Sequence, residues 1–363
     1  MRRYTRRQLL RHSGLAATLL GSGAGRQALA FSGNKKLGVA LVGLGHYSRD
    51  LLAPALQLTE HCELRGLVTG SPEKIAPWQN QYAIKDANIY SYDTMHRIAN
   101  NPDIDVIYIV VPTGLHKKYA LIAANAGKHV WCEKPMALTV QDCQSIIDSC
   151  NKNKVKLAVG YRLQHEPNTQ TLMQLAQARP YGDIVRISAE AAYAGNGASA
   201  DYWRMQKHMG GGALYDMGVY AINGARYAAA AEPIAVTAKR LFDHHKFTEV
   251  DNTTYLTLEF GNNVIAQCMS SVVQPGNQLR VDCSDGWYQL KPMPEYHGVQ
   301  GTTSDGKKLD KFLANQQAQQ MDNDALAIIN NTAMRVPGEE GMRDIAIVQA
   351  AIESSDKNKT ITL

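Results

Sequence analysis

The stretch Leu37-Gly38-Val39-Ala40-Leu41-Val42-Gly43-Leu44-Gly45-His46-Tyr47-Ser48 decides the fold. A polar lead gives way at Lys36 to an apolar run that ends at Val42. Two glycines follow, and then a helical pattern through Leu58. This is strand, glycine turn, helix. The first glycine permits the tight turn, and the second lets a pyrophosphate approach the backbone at a helix N-terminus. The third small position holds Ser48, not Gly or Ala, so the motif is imperfect. The turn residues Gly43, Gly45, His46 and Tyr47 are candidate cofactor contacts; the competing reading is a structural glycine turn.

Working outward, strands and helices alternate. Glu63–Val68 reads as the second strand. An acid at its tip would select the ribose 2′-hydroxyl of NAD, but the tip holds Thr69-Gly70-Ser71-Pro72-Glu73-Lys74. Ser71 as a hydrogen-bond donor and Lys74 as a cation suit a 2′-phosphate, so the expected cofactor is NADP. Glu73 keeps NAD open, and Ser71 could equally cap the next helix. Val106–Val111 is a β-branched run of the kind buried in parallel sheets. Pro112, Thr113 and His116 follow it at the expected cofactor edge. A helix closes at Gly127. Then Val130-Trp131-Cys132 runs into Glu133-Lys134-Pro135. Proline stops the strand and turns the backbone, which leaves Glu133 and Lys134 at a strand's carboxyl end, where open α/β sheets bind ligands. An ordinary loop lysine is the alternative. Thr139–Asn153 is an amphipathic helix with Thr139 as N-cap. Lys156–Gly160 is one more strand, followed by Tyr161-Arg162.

The pattern then changes. Asp183–Ala192, Ile234–Leu241, Thr253–Phe260, Val264–Ser271 and Leu279–Cys283 alternate as antiparallel strands do, with a hairpin turn at 261–263. Helices return at Gln317–Asn331 and Gly341–Asp356; Lys291–Leu309 is the least structured stretch. The expected architecture is an N-terminal Rossmann domain, a doubly wound parallel sheet, over 31–160. A second domain over 161–363 carries an open, mostly antiparallel sheet with helices on one face. Within it, Gly210-Gly211-Gly212 leads into a helix that bears Asp216 and Tyr220 four apart, on one face. A phenol has a reference pKa of about 10. A nearby ammonium would lower it, and Lys134 is the candidate. A packed core tyrosine is the competing reading.

Composition narrows the partners. Residues 1–30 hold six arginines and no acid; removing those six from 38 cationic residues leaves 32 against 33 acidic ones. A near-neutral mature chain argues against nucleic acid or a membrane surface as partner. Thr5-Arg6-Arg7-Gln8-Leu9-Leu10-Arg11, a short weakly apolar segment and Ala28-Leu29-Ala30 read as a twin-arginine signal peptide over 1–30, which exports folded proteins to the periplasm. A basic arm and an uncleaved anchor are the alternatives. The six cysteines show no metal-ligand spacing, and Cys143 and Cys150 lie roughly 10 Å apart along one helix, too far to bridge, so free buried thiols are expected and no metal site.

The order Gly43-x-Gly45, Glu133-Lys134-Pro135, Gly160-Tyr161-Arg162 and Asp216-x-Gly218-x-Tyr220 resembles the Gfo/Idh/MocA oxidoreductases, from about Leu37 to Asp356. Within them it is most similar to the periplasmic subgroup of glucose–fructose and aldose–aldose oxidoreductases. Shared stretches include Trp203-Arg204, Gly210–Tyr227 and 337–342. The resemblance implies that Lys134 and Tyr220 are catalytic with Asp216, and that Lys134, Tyr161, Arg162, Asp216 and Tyr220 bind sugar. It also sets Glu133, Lys134, Arg162, Trp203 and Arg204 beside the cofactor. It further implies tightly held NADP, oxidation of a cyclic aldose to a lactone, reduction of a second sugar to an alditol, and a homodimer or higher homo-oligomer through the C-terminal sheet. One departure is the short Phe31–Lys36 spacer, where the subgroup has a long arm over the cofactor. An exchangeable-cofactor dehydrogenase, a glycoside-cleaving relative and a non-catalytic sugar binder stay open.

Overall fold

Runs of apolar residues that stop at Gly, Pro or a polar turn become the strands of a parallel sheet. In chain order these are β1 (Leu37–Val42), β2 (Cys62–Val68), β3 (Ile89–Tyr90), β4 (Val106–Ile109), β5 (His129–Cys132) and β6 (Leu157–Val159), with α1 (Ala53–Leu56), α2 (Ile75–Tyr82), α3 (His116–Asn125) and α4 (Val140–Lys152) between them. Their order is β3-β2-β1-β4-β5-β6, every pairing is parallel, and β4 is buried along its whole length. Helices on both faces exclude water, as that pattern requires. The structure is a computed structural model, described here for residues 36–195, 202–242, 249–261 and 263–363. The signal-peptide reading of 1–30 and residue 262 of the expected hairpin turn lie outside the described residues.

Local chemistry sets the helix ends. The Thr139 side chain accepts from the Asp142 amide at 3.0 Å, the expected cap of α4. Cys143, Ile146, Ile147 and Cys150 form the buried stripe of α4 at helical spacing. Glu166 caps α5 (Pro167–Ala178), its carboxylate accepting from the Asn168 and Thr169 amides at 3.0 and 2.6 Å. Ser71 caps nothing: no side-chain bond joins it to the helix that follows.

The second sheet has nine strands, ordered β14-β13-β12-β11-β7-β10-β9-β8-β15. They are β7 (Ile184–Ala194), β8 (Pro233–Leu241), β9 (Thr253–Phe260), β10 (Ile265–Ser271), β11 (Val273–Cys283), β12 (Gly286–Leu290), β13 (Gly301–Thr303), β14 (Lys308–Leu309) and β15 (Ile361–Thr362). All pairings are antiparallel except β7 with β10. The sequence reading missed β12 to β15, because strands of two to five residues carry too little periodicity to stand out. Two of them fall inside the stretch read as least structured.

One face of this sheet carries α6 (Val219–Ala229), all eleven residues of which are buried. α7 (Gln316–Ile329) belongs to the other core: Ala318, Met321 and Ala325 pack in the cluster of Leu41, Leu52, Tyr108 and Trp131. The change of sheet falls between Val159 and Ile184, but the cores cross that line. α8 (Gly338–Lys357) is tied to α6 by a buried ionic knot. The Arg226 guanidinium, 3% exposed, meets Asp344 Oδ1 at 2.6 Å, Glu340 Oε2 at 3.0 Å and Glu232 Oε2 at 2.6 Å. All six cysteines are free, five of them buried, and burial pushes every thiol up. No helix among the described residues is long and apolar enough to cross a membrane.

Candidate active site

The carboxyl ends of β1, β2, β4 and β5 share one edge of the parallel sheet. At the end of β1, Gly43 has φ +94°, and a Cβ there would lie 2.7 Å from the Val110 carbonyl oxygen, so only glycine fits the turn. Ser48 is fully buried and its hydroxyl donates to the Gly43 carbonyl at 2.5 Å, closing the turn the imperfect motif left in question. A π-helical turn, Ser48–Leu52, follows. A Cβ on Gly45 would meet nothing within 4 Å, so this amide edge is open to a ligand. Lys74 reaches the same turn, its Nζ donating to the Leu44 carbonyl at 3.2 Å. Ser71 is half-buried with its amide on Thr69 Oγ1 at 3.1 Å. An open glycine turn with an ammonium beside it fits the phosphates of a nicotinamide dinucleotide.

Other predicted cofactor contacts divide. His46 is exposed and paired with Asp50 at 2.5 Å. Tyr47 points inward, its ring 6.0 Å from that of Tyr296. Thr113, after Pro112 at the end of β4, is buried; a Cβ on neighbouring Gly114 would lie 2.3 Å from the His208 carbonyl oxygen, so this turn packs directly on residues 207–209. His116 is 1% exposed, with Nδ1 2.9 Å from the Pro135 carbonyl and Nε2 2.8 Å from that of Val111. Both nitrogens face main chain, which leaves neither for the ribose contact expected from the sequence; His116 braces the turns after β4 and β5. Glu133 is buried and accepts from Tyr108 Oη at 2.6 Å and from the Lys134 amide at 3.2 Å; burial pushes its carboxyl up.

Lys134 meets the second half of the chain. Its Nζ donates to the main-chain carbonyl of Asp216 at 2.8 Å, lies 4.0 Å from Asp216 Oδ1, and stands 4.3 Å from the centre of the Tyr220 ring. Burial pulls the ammonium down, against the pull of Asp216. Asp216 lies in a π-helical turn, Leu214–Gly218, that precedes α6. Such turns often mark functional sites. Its Oδ2 accepts from Arg204 Nε at 3.0 Å and Tyr193 Oη at 3.1 Å. Burial works against its charge, but Arg204 and Lys134 together hold the carboxyl below its usual range. The Arg204 guanidinium also stacks 4.4 Å over the Trp203 ring.

One expectation is corrected. The Tyr220 oxygen is not met by Lys134, which covers the ring face; Arg162 Nη1 donates to it at 3.0 Å. Nor is the phenol lowered: burial pushes it up to about 12, with Arg162 the foremost opposing influence. Asp216 and Tyr220, four apart, both border Lys134, but their oxygens take different donors: Arg204 and Tyr193 for the carboxylate, Arg162 for the phenol. Tyr161 is 1% exposed and packs edge-on to Tyr220, ring centres 6.4 Å apart, as a wall of the cluster. The sequence reading missed Tyr193 and Tyr296. An aromatic in the polar stretch 291–309 was the available signal for Tyr296; for Tyr193 it was the inward alternation of Ile187, Ala189 and Ala191, which Tyr193 continues.

Residues 37–161 match the family described as an oxidoreductase family with an NAD-binding Rossmann fold, and 169–289 match the GFO/IDH/MocA C-terminal domain. The aldose-aldose oxidoreductase of Caulobacter crescentus, solved with glycerol, is 33% identical, covering 91% of this chain and 100% of its own, with a TM-score of 0.86. The chain belongs to the Gfo/Idh/MocA oxidoreductase family. Among the family's relatives of this chain are the D-xylose 1-dehydrogenase [NADP(+)] of Haloarcula marismortui, 25% identical over 89% of this chain and 92% of its own, and the scyllo-inositol 2-dehydrogenase (NADP(+)) of Bacillus subtilis, 24% identical over 90% and 95%. As in the family description, the parallel sheet is the dinucleotide-binding half. The Lys134 cluster lies where that half meets the C-terminal sheet.

Proposed function

We propose that this protein is a periplasmic, NADP-containing sugar oxidoreductase that oxidises a cyclic aldose to an aldonolactone and then reduces a second sugar to an alditol, one product leaving before the other sugar binds. The observation that carries the reading is the buried set of Lys134, Asp216, Arg162 and Tyr220, which joins the two halves of the chain at the sheet edge beside the glycine turn. Gly43, Gly45, Tyr47, Ser71 and Lys74 would hold the NADP. Bound there, it supplies hydride acceptance and donation at the sugar carbon. Tyr220 Oη takes the proton of the anomeric hydroxyl in the first half-reaction and returns a proton in the second. Lys134 and Asp216 orient the reacting hydroxyl, and Arg204 with Trp203 closes the sugar's far side. Tyr296 and Tyr161 keep water out.

Similarity to an aldose-aldose oxidoreductase favours transfer between two sugars. Similarity to NADP-dependent xylose and inositol dehydrogenases favours a second reading, a dehydrogenase that exchanges its cofactor. Incubating the purified protein with glucose and fructose, without added nucleotide, separates them. The expected outcome is equal amounts of lactone and alditol, with NADP as the nucleotide released by acid. Turnover that requires added NADP favours the exchanging dehydrogenase, and no turnover under either condition removes both. Export by the twin-arginine route and assembly through the outer face of the second sheet complete the proposal. That face exposes Val185, Ile234, Tyr255 and Ile265 among Arg186, Lys239, Glu259 and Gln267, a mixed apolar and polar surface that a second copy could cover. N-terminal sequencing of the exported protein and its sedimentation mass check these two points; an intact signal or a single-chain mass would count against them.

A further inference from the structure

The reaction needs a phenol that gives up its proton, and Tyr220 sits where burial resists that. We infer that Arg162, rather than Lys134, is the positioning residue that fixes the Tyr220 hydroxyl and favours loss of its proton. The inference deepens the proposed chemistry and rests on it for its catalytic meaning.

The geometry is directional. Arg162 Nη1 donates to Tyr220 Oη at 3.0 Å, and a guanidinium has no acceptor, so the phenol's own proton points elsewhere. When that proton leaves, the same bond becomes charge-assisted and tightens. Lys134 lacks this geometry: its Nζ is engaged by the Asp216 carbonyl and lies over the ring face, not at the oxygen.

Arg162 is also held for the task. It is 1% exposed, its Nη2 donates to the Pro294 carbonyl at 2.6 Å, and its guanidinium lies 4.5 Å from the centre of the Tyr296 ring. The segment bearing Pro294 and Tyr296 is itself anchored. The Met293 amide donates to Asn277 Oδ1 at 2.6 Å, and Gln316 Nε2 of α7 donates to the Glu295 carbonyl at 3.1 Å. A stretch that reads in sequence as irregular thus fastens the cation to the phenol. The other groups facing Tyr220 are Glu133 and Asp216, which oppose ionisation, Arg204, which favours it, Lys134 over the ring, Tyr161 edge-on, and the phenols of Tyr47 and Tyr296. The donor that meets the Tyr220 oxygen is Arg162.

The test replaces Tyr220 in the full chain by 2,3,5-trifluorotyrosine, a more acidic phenol, and follows its ionisation by ¹⁹F NMR against pH. This readout needs no turnover, so it stands even if the sugar chemistry fails. Removing Arg162 as Arg162→Met should move the midpoint up by about one to three pH units, the usual reach of an adjacent opposite charge. Arg162→Lys should recover part of that shift. Lys134→Met should move it less than Arg162→Met does. An unchanged midpoint in a folded Arg162→Met protein, or a larger shift in Lys134→Met, overturns the inference. If Arg162→Met does not fold, Tyr296→Leu carries the test: loosening the guanidinium should raise the midpoint, and an unmoved midpoint overturns the proposal.

Discussion

Tyr220→Phe lowers turnover of glucose by about 10²- to 10⁴-fold, the span expected when one proton-transfer group is lost, while the protein keeps its nucleotide. Only the hydroxyl goes. The ring still fills the space beneath Lys134 and against Tyr161, so the pocket walls and the dinucleotide turn are undisturbed. The lost oxygen is the one Arg162 holds. The intact enzyme shows the complementary pH behaviour. With the phenol pushed up to about 12 by burial, its basic form is a minor species near neutrality. Aldose oxidation therefore rises close to tenfold per pH unit above neutrality, until another step limits, and Tyr220→Phe flattens that rise. Steady-state rates across pH check both points; a phenylalanine variant within tenfold of the parent would remove Tyr220 from the chemistry.

Arg226→Met costs about 3–5 kcal/mol of folding stability, the usual penalty for leaving a buried ionic group unpaired. Arg226 lies two turns along α6 from Tyr220 and satisfies Asp344, which is wholly buried, and Glu340. Without the guanidinium, the Asp344 carboxylate loses its chief favourable charge; burial already pushes that carboxyl up to about 6. Asn223 remains a side-chain donor to it, at 2.9 Å. Chemical denaturation measures the effect: a midpoint equal to the parent's would show that the knot adds nothing. A paired change of Arg226 and Asp344 to similar-sized apolar residues should recover much of the loss, since the cost lies in the orphaned charge rather than in the absence of the pair.

Much of this was legible in the chain. The glycine turn, the strand that ends at Lys134 and the α4 cap each have a local cause, so they could be read locally. Lys134 was expected to meet Tyr220; in the structure its ammonium lies over the Tyr220 ring and donates to the Asp216 main-chain carbonyl. What stayed hidden depends on tertiary contacts. The cation on Tyr220 could not be chosen from sequence, because Lys134 and Arg162 both stand at strand ends and only packing decides which one reaches the oxygen. Asp216 sits in a π turn, Leu214–Gly218, and a spacing of four residues cannot announce it. Tyr296 and Pro294 lie in a stretch without periodicity, whose order comes from bonds to β11 and α7. His116 looked like a ribose contact because it opens a helix at the cofactor edge, and two carbonyl oxygens claim it instead.

The most direct test of the account is the absorption spectrum of the freshly purified protein before and after glucose is added, with no nucleotide supplied. Oxidised nicotinamide should already be present, a reduced-nicotinamide band should grow on adding glucose, and that band should disappear when a second sugar follows. A spectrum without nicotinamide absorbance, or one that glucose leaves unchanged, would contradict it.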